Sequence, residues 1–334
     1  MATSRRPPLY TMQAGPPRRR RRPFLSPFRL AALIVVLVVL GAFAVMVWRV
    51  FPLTDREAGA IPSSALTGRG APSNGGAEPA PAGMAPLELR GASKRALPGV
   101  QATSAILVDA ESGQVLWARR PHAKQPVASL TKLMTSLLAE RGGGLRREVT
   151  ITEAMTNDLG YTIGLNPGDT ISVRDLLAAT MIASANDASD ALAVYRSGSI
   201  NRFVKLMNAE AKKLGLSDSR YSNPSGIIDT GNHSSAWDVA DLSRLYMTRP
   251  VLARMVGMKL YRPATGSSYV SRNRLLWDEP TAIGVKTGST DLSGKCLAAA
   301  ARQDGRLLIA VVLDANGDEF AQAQTLLRWG FRQP

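Results

Sequence analysis

The sequence predicts a mixed α/β domain whose sheet is mostly antiparallel, preceded by one membrane-spanning helix. Three observations predict this arrangement. An uncharged apolar run occupies residues 30–48, and the Pro-, Gly-, Ala- and Ser-rich residues 49–97 follow it. From residue 98 to residue 334, strand-like patterns come first and last and helix-like patterns lie between them. We therefore expect the first and last strands to pair within one sheet.

The N-terminal residues 1–29 form a basic tail that contains eight arginines and no acidic residue, in a chain of net charge +15. The 19 apolar residues at 30–48 would rise about 28 Å as a helix, close to the thickness of a bilayer core. The positive flank predicts an uncleaved signal anchor with its N-terminus in the cytoplasm. A cleavable signal peptide, cut near residues 58–60, is the alternative. Nucleic-acid binding by the tail is a minor alternative, and no nucleic acid is expected as a partner.

The composition of residues 49–97 predicts a flexible linker, because such a segment cannot bury enough apolar surface to offset its chain entropy. The folded domain is expected over residues 98–334. Cys296 is the single cysteine, which excludes an internal disulfide framework and a cysteine-based metal site. We also find no glycine-rich phosphate loop and no histidine pair with metal-ligand spacing. The sequence therefore predicts neither a metal nor a cofactor.

Hydrophobic periodicity assigns the elements of the domain. Alternating patterns predict strands over 105–109, 115–119, 148–152, 259–262, 283–287, 295–302 and 307–313, the first two joined in a hairpin. Apolar residues at 3.6 spacing predict helices over 130–140, 173–182, 187–195, 200–214, 236–248 and 320–331. Residues 160–170 are expected to be a loop, and Pro250 marks the change from helical to strand patterns.

Ser129 and Lys132 stand three residues apart where the first predicted helix begins. Residues at this spacing share one helix face, so the hydroxyl and the amine can meet. A serine becomes a good nucleophile when a nearby base takes its proton, and a desolvated lysine can be that base. Taken alone, the pair also fits a helix-capping serine followed by a solvated lysine.

Two further motifs favour the catalytic interpretation. Ser184, Ala185 and Asn186 lie in a predicted turn between two helices, and Lys286 begins the triplet Lys-Thr-Gly at the end of a predicted strand. An S-x-x-K motif followed by S-x-N and K-T-G triplets, in this order and in these contexts, is typical of penicillin-binding proteins and class A β-lactamases.

The domain resembles the low-molecular-mass penicillin-binding proteins of the D-alanyl-D-alanine carboxypeptidase family. The matching stretches are residues 128–135, 166–169, 184–188, 203–208, 214–216, 222–226, 272–278 and 285–291. The resemblance implies a β-lactamase/transpeptidase-like fold, with a five-stranded antiparallel sheet, flanking helices and a helical subdomain. The active site would lie in the cleft between the sheet and that subdomain.

The resemblance also implies the catalytic roles. Ser129 would be the nucleophile that forms an acyl-enzyme, and Lys132 would be the general base. Burial and the second cation, Lys286, would keep the amine of Lys132 neutral. Ser184 would relay a proton to the leaving amine, and Asn186 would hold the substrate amide and Lys132.

Substrate binding follows from the same resemblance. Thr287 and Arg272 would bind the terminal carboxylate, although Arg274 competes for the arginine's role. Backbone N–H groups of Ser129 and Ser289 would form the oxyanion hole. The residues predicted to bind substrate are Thr287, Gly288, Ser289, Thr290 and Arg272.

The function implied is a serine-type D-Ala-D-Ala carboxypeptidase that trims peptidoglycan stem peptides outside the cytoplasmic membrane and is inhibited by β-lactams. A D,D-endopeptidase that cuts peptidoglycan cross-links is the nearest alternative. A β-lactamase is disfavoured, because no E-x-x-L-N stretch lies between the second and third motifs. A catalytically inactive muropeptide sensor is the alternative of another class, yet neither the serine nor the lysines are missing. Ala185 and Ser289 depart from the family, which mostly has glycine and a bulkier residue there.

Overall fold

One five-stranded antiparallel sheet organises the part of the chain that the computed structural model describes, residues 84–93, 95–157, 159–227 and 231–334. The predicted membrane helix at 30–48 and the basic tail lie outside these ranges. Among the described residues, no helix is both long enough and apolar enough to cross a membrane.

The sheet places the Lys-Thr-Gly strand at one edge. The strands of the described residues are β1 Ala102–Asp109, β2 Val115–Arg119, β3 Glu148–Thr150, β4 Thr170–Ser172, β5 Leu260–Tyr261, β6 Tyr269–Val270, β7 Ala282–Thr290, β8 Gly294–Gln303 and β9 Arg306–Ala315. The strand order of the sheet is β2-β1-β9-β8-β7, so the first and last strands of the domain pair, as predicted. Two short ribbons pair β3 with β4 and β5 with β6.

Helices cover both faces of the sheet. The helices of the described residues are α1 Lys132–Arg141, α2 Val173–Ala178, α3 Asn186–Ser197, α4 Ile200–Lys213, α5 Ala236–Met247, α6 Pro250–Val256, α7 Leu275–Asp278 and α8 Glu319–Gly330. Serine or aspartate side chains accept a backbone N–H at the N-termini of α2, α4, α5 and α8, which satisfies a donor that the helix itself cannot pair.

The sheet divides the apolar core into two layers because successive side chains of a strand point to opposite faces. In β9, Ile309 and Val311 pack into the larger layer with the helical subdomain. Leu308 and Val312 pack into the smaller layer against α8. Both faces of β9 are therefore buried, which accounts for its continuous apolar sequence.

Residues 250–256, residues 84–93 and residues 95–97 differ from the sequence-based expectations. Residues 250–256, expected to begin the strand-rich part, form α6, with Pro250 at a first-turn position where its missing N–H costs no hydrogen bond. Residues 84–93 and 95–97, expected to belong to the flexible linker, also pack against the domain. Met84 and Leu87 contact the larger core layer, and Trp117 donates its indole N–H to the carbonyl of Arg95 at 2.8 Å.

Candidate active site

Ser129 lies in a 3-10 turn, Ala128–Thr131, that runs directly into α1. Its Oγ is 3.0 Å from Nζ of Lys132. Ser129 is partly exposed, whereas Lys132 is fully buried. Ala128 has a left-handed backbone with φ +47°, which turns the chain immediately before the serine. The predicted pairing of hydroxyl and amine is thus present in the structure.

The amine of Lys132 is held by three oxygen atoms. Besides the Ser129 hydroxyl, it contacts Oδ1 of Asn186 at 2.7 Å and the carbonyl oxygen of Ser225 at 2.7 Å. These contacts come from three separate segments, so the position of the nitrogen is fixed from three directions. The amine is therefore held at the serine with little freedom to move.

Burial is the main reason that the pKa of Lys132 is lowered to about 7. Among the charges, Asp190 raises this pKa most strongly, Arg272 lowers it, and Asp187 raises it. A lysine with a pKa near 7 is substantially neutral at neutral pH, whereas an ordinary lysine is protonated. The amine can therefore accept a proton under physiological conditions.

Lys286 lies in β7 and reaches Ser184 across the cleft. Its Nζ donates to Ser184 Oγ at 2.9 Å and to the carbonyl of Thr287 at 2.9 Å. Burial first, then repulsion from Lys132 and Arg272, hold the pKa of Lys286 well below its usual range. Arg272 lowers the pKa of Lys132 as well, and the two lysines repel each other across the cleft. Ser184 itself has a left-handed backbone, φ +64°, at the end of the π-helical turn Ala179–Ala183.

Asn186 begins α3 and connects the lysine to the opposite loop. Its Oδ1 accepts from Lys132, and its Nδ2 donates to the carbonyl of Leu159 at 2.7 Å. Its backbone N–H donates to the carbonyl of Tyr161 at 2.8 Å. The amide can thus bind the lysine only through its oxygen, which fixes its orientation.

Arg272 is the arginine of the Arg-Asn-Arg stretch that faces the cleft. Its guanidinium carbon lies 5.1 Å from the centre of the exposed Tyr161 ring. Its charge lowers the pKa values of both active-site lysines. Arg274 instead forms ion pairs with Asp278 at 2.8 Å and Asp318 at 2.6 Å. These contacts favour Arg272 as the cleft arginine.

The C-terminal end of β7 runs beside the serine. A Cβ added at Gly288 would lie 3.0 Å from the backbone nitrogen of Ser129, so glycine permits this close approach. Ser289 is exposed and lines a cavity of about 370 Å³ together with Ile227 and Leu292. The hydroxyl of Thr290, predicted to bind substrate, donates to Ser293 within the β7–β8 turn at 2.9 Å.

Three residues that contact or influence the site were not predicted from the sequence. The Ser225 carbonyl binds Lys132. The Asp187 carboxylate accepts backbone N–H groups of residues 163, 164 and 165, which anchors the loop beside the cleft. Asp190 lies one turn further along α3. The two aspartates follow Asn186 by one and four residues, and this spacing could have revealed them. Within the described ranges, no cluster of His, Cys, Asp or Glu side chains could hold a metal ion.

Comparisons with known proteins agree with this geometry. Residues 92–317 match the peptidase S11 family model, described as D-alanyl-D-alanine carboxypeptidase. The carboxypeptidases DacF of Bacillus subtilis and DacD of Salmonella typhimurium are 34% and 38% identical over 70% of this chain. Each alignment spans 63% of the relative's length.

Solved structures give the same result. A D-alanyl-D-alanine carboxypeptidase from Mycobacterium tuberculosis H37Rv superposes with a TM-score of 0.69 at 29% identity, over 74% of this chain and 97% of that one. Penicillin-binding protein 6B from Escherichia coli superposes with a TM-score of 0.68 at 34% identity, over 74% of this chain and 82% of that one. The chain belongs to the D-alanyl-D-alanine carboxypeptidase family of peptidases.

Proposed function

We propose that this protein is a serine-type D-Ala-D-Ala carboxypeptidase that removes the terminal D-alanine from peptidoglycan stem peptides. The observation that carries the proposal is the Lys132 amine, which is buried, has a pKa of about 7 and lies 3.0 Å from Ser129 Oγ. This combination activates a serine without a histidine or a metal. Membership of the carboxypeptidase family supports the choice of substrate.

Acylation begins with proton transfer from Ser129 to Lys132. A neutral amine has two N–H groups, which can serve Asn186 and the Ser225 carbonyl, and its lone pair then accepts the Ser129 O–H. The serine oxygen attacks the carbonyl carbon of the D-Ala-D-Ala bond. The negative charge that develops on the carbonyl oxygen is stabilised by the backbone N–H groups of Ser129 and Ser289. The approach of β7 at Gly288 supports this arrangement.

Collapse of the tetrahedral intermediate breaks the C–N bond. Ser184 gives its hydroxyl proton to the leaving nitrogen and takes up the proton that Lys132 received from Ser129, so the lysine is neutral again. Lys286 donates a hydrogen bond to Ser184 at 2.9 Å. Arg272 and Thr287 hold the carboxylate of the departing D-alanine, a role suited to a guanidinium group. Water then attacks the acyl-serine ester and restores the free hydroxyl. A β-lactam opens on the same serine, and its slowly hydrolysed ester inhibits the enzyme.

The place of action follows from the N-terminal sequence. Residues 30–48 would anchor the protein in the cytoplasmic membrane as a single helix, with the basic residues 1–29 in the cytoplasm. Residues following the anchor would link it to a catalytic domain that works outside the cytoplasm. Peptidoglycan, the proposed substrate, lies on that side of the membrane.

A cavity beside the cleft favours D,D-endopeptidase activity as a second candidate. It measures about 490 Å³ and lies between residues 161–165, 169–171 and 265–269. Tyr161, one of its walls, contacts Arg272. A terminal D-alanine bound at Arg272 would not need this space. The leaving group of a cross-linked dimer, a whole second stem peptide, could enter it.

Two measurements test the proposal. A fluorescent penicillin should label the wild-type protein and should fail to label Ser129→Ala, because the acyl-enzyme cannot form. Persistent labelling of the variant would refute the catalytic assignment. Incubation with monomeric pentapeptide and with cross-linked dimer then separates the two candidates. Release of D-alanine identifies a carboxypeptidase, release of monomers identifies an endopeptidase, and neither product indicates a sensor.

A further inference from the structure

Asp190 is a half-buried residue in the second turn of α3. Its Oδ2 accepts from Nδ2 of Asn157 at 2.5 Å. Its Oδ1 is buried and has no hydrogen-bond partner among the described residues. A buried carboxylate oxygen without a partner is costly, because the charged form loses its hydration. No step proposed above uses this carboxylate, although its unpartnered oxygen lowers the stability of the fold.

The position of Asp190 relates it to the catalytic lysine. Asp190 follows Asn186 by four residues in one helix, so the two side chains share a face. Asn186 contacts the Lys132 amine directly at 2.7 Å. The influence between the two ionisable groups is mutual: Asp190 is the charge that most raises the pKa of Lys132, and Lys132 lowers that of Asp190.

The site needs such a counter-charge. Burial and Arg272 both lower the pKa of Lys132. An amine whose proton affinity falls too far is a poor acceptor for the serine proton, and a general base works best when its pKa is near the working pH. A nearby negative charge raises the pKa of the amine and so opposes this loss of proton affinity. It also stabilises the ammonium that forms when the serine proton arrives.

We propose that Asp190 is a positioning residue for Lys132, whose carboxylate sets the basicity of the amine and stabilises its protonated form during acylation. This inference rests on the proposed function, in which Lys132 is the base. Asn157 assists by donating to the carboxylate, which favours its charged form. With that hydrogen bond in place, burial raises the pKa of Asp190 to about 6. The group is thus mainly ionised at neutral pH.

Other charged groups lie near Lys132 and Asp190, and their charges also affect how the acylation rate depends on pH. Arg272, from the segment before α7, and Asp187, from α3, act on Lys132. Lys286 faces it from β7. Asp187 and Lys132 are the charges that act on Asp190. In the 3-10 turn that packs against α3, Glu153 is exposed.

The test replaces Asp190 with asparagine in the full chain. The rate constant for acylation by a fluorescent penicillin is measured across pH, and we expect the acid limb of Asp190→Asn to move by about one unit to lower pH. The plateau rate should fall several-fold, because the amine becomes a weaker base. The matched control is Asp175→Asn, which alters a buried carboxyl group of the helical subdomain that is hydrogen-bonded to Tyr261. Its profile should coincide with that of the wild type.

The other outcomes of this experiment also support or overturn the inference. An acid limb of Asp190→Asn that coincides with the wild type, or moves to higher pH, overturns the inference. If this variant fails to fold by circular dichroism, Asn157→Ala serves instead. Loss of its hydrogen bond favours the neutral carboxyl, so a smaller shift in the same direction supports the inference and no shift overturns it. If penicillin does not label Ser129 of the wild type, the proposed function itself is overturned. If the wild type is labelled but Asp190→Asn shows no shift, only the role of Asp190 is overturned.

Discussion

Replacing Gly226 with alanine should disable the active site without touching a catalytic side chain. Gly226 has φ +75°, and a Cβ at this position would lie 2.0 Å from the carbonyl oxygen of Ala128. The residue before it, Ser225, binds the Lys132 amine through its carbonyl at 2.7 Å. A methyl group here therefore pushes apart the two segments that hold the serine and the lysine.

The size of the effect follows from that distance. A carbon and an oxygen in contact need about 3.2–3.5 Å, so the backbone must move by more than about 1 Å. A displacement of this size at a catalytic group costs about 10²-fold in rate. The left-handed backbone adds about 1–2 kcal/mol of destabilisation for any residue that has a Cβ. We expect acylation to fall by about two orders of magnitude and the Tm to fall as well.

The assay is the rate constant for labelling by a fluorescent penicillin, measured together with thermal unfolding. Gly215→Ala is the matched control, because Gly215 has φ +74° and its Cβ would meet no atom within 4 Å. Gly215→Ala should lose only the stability that a left-handed backbone costs a residue with a Cβ, and it should keep its acylation rate. Acylation of Gly226→Ala within about threefold of wild type would refute the reasoning.

Two further predictions concern the base and the second cavity. Because the pKa of Lys132 is lowered to about 7, the acylation rate should rise about tenfold between about pH 6 and about pH 8 and then level off. An acylation rate that continues to rise toward about pH 10 would contradict a neutral Lys132 at neutral pH. Ser268→Trp, which fills the cavity beside Tyr161, should slow monomer release from cross-linked dimer while penicillin acylation stays unchanged. Ala264→Trp, exposed on the same segment, is the control, and equal loss in both variants would show that the cavity has no role.

Local patterns in the sequence account for much of the sheet. Strands such as β8 and β9 are bounded by turn residues and are continuously apolar, so their existence and order could be predicted. The helix α6 could not, because Pro250 ends one helical pattern and also begins the next helix. The strand β5 lies within the strand predicted over 259–262, whereas its partner β6 spans only two residues, which is too brief for a periodic signal.

The candidate site likewise contains some contacts that the sequence predicted and others that it did not. Ser129 and Lys132 share one helix face, so their spacing allowed a contact, and the two further motifs favoured it over a capping serine with a solvated lysine. Lys286 and Ser184 are 102 residues apart, and only the resemblance to a family placed them in one cleft. The Ser225 contact uses a backbone carbonyl, which leaves no signature in the side-chain pattern. The pKa of Lys132 depends on burial and on charges from several segments, and therefore on the whole fold.

The left-handed backbones of Ala128 and Ser184 have a practical consequence for protein engineering. Both residues carry a Cβ in a conformation that glycine adopts with less strain. A screen for thermal resistance alone would therefore reward glycine at position 184, and such a variant would lack the hydroxyl that accepts from Lys286. Strain of this kind is tolerated where function requires it. Libraries built on this domain should be sorted by penicillin labelling as well as by melting temperature.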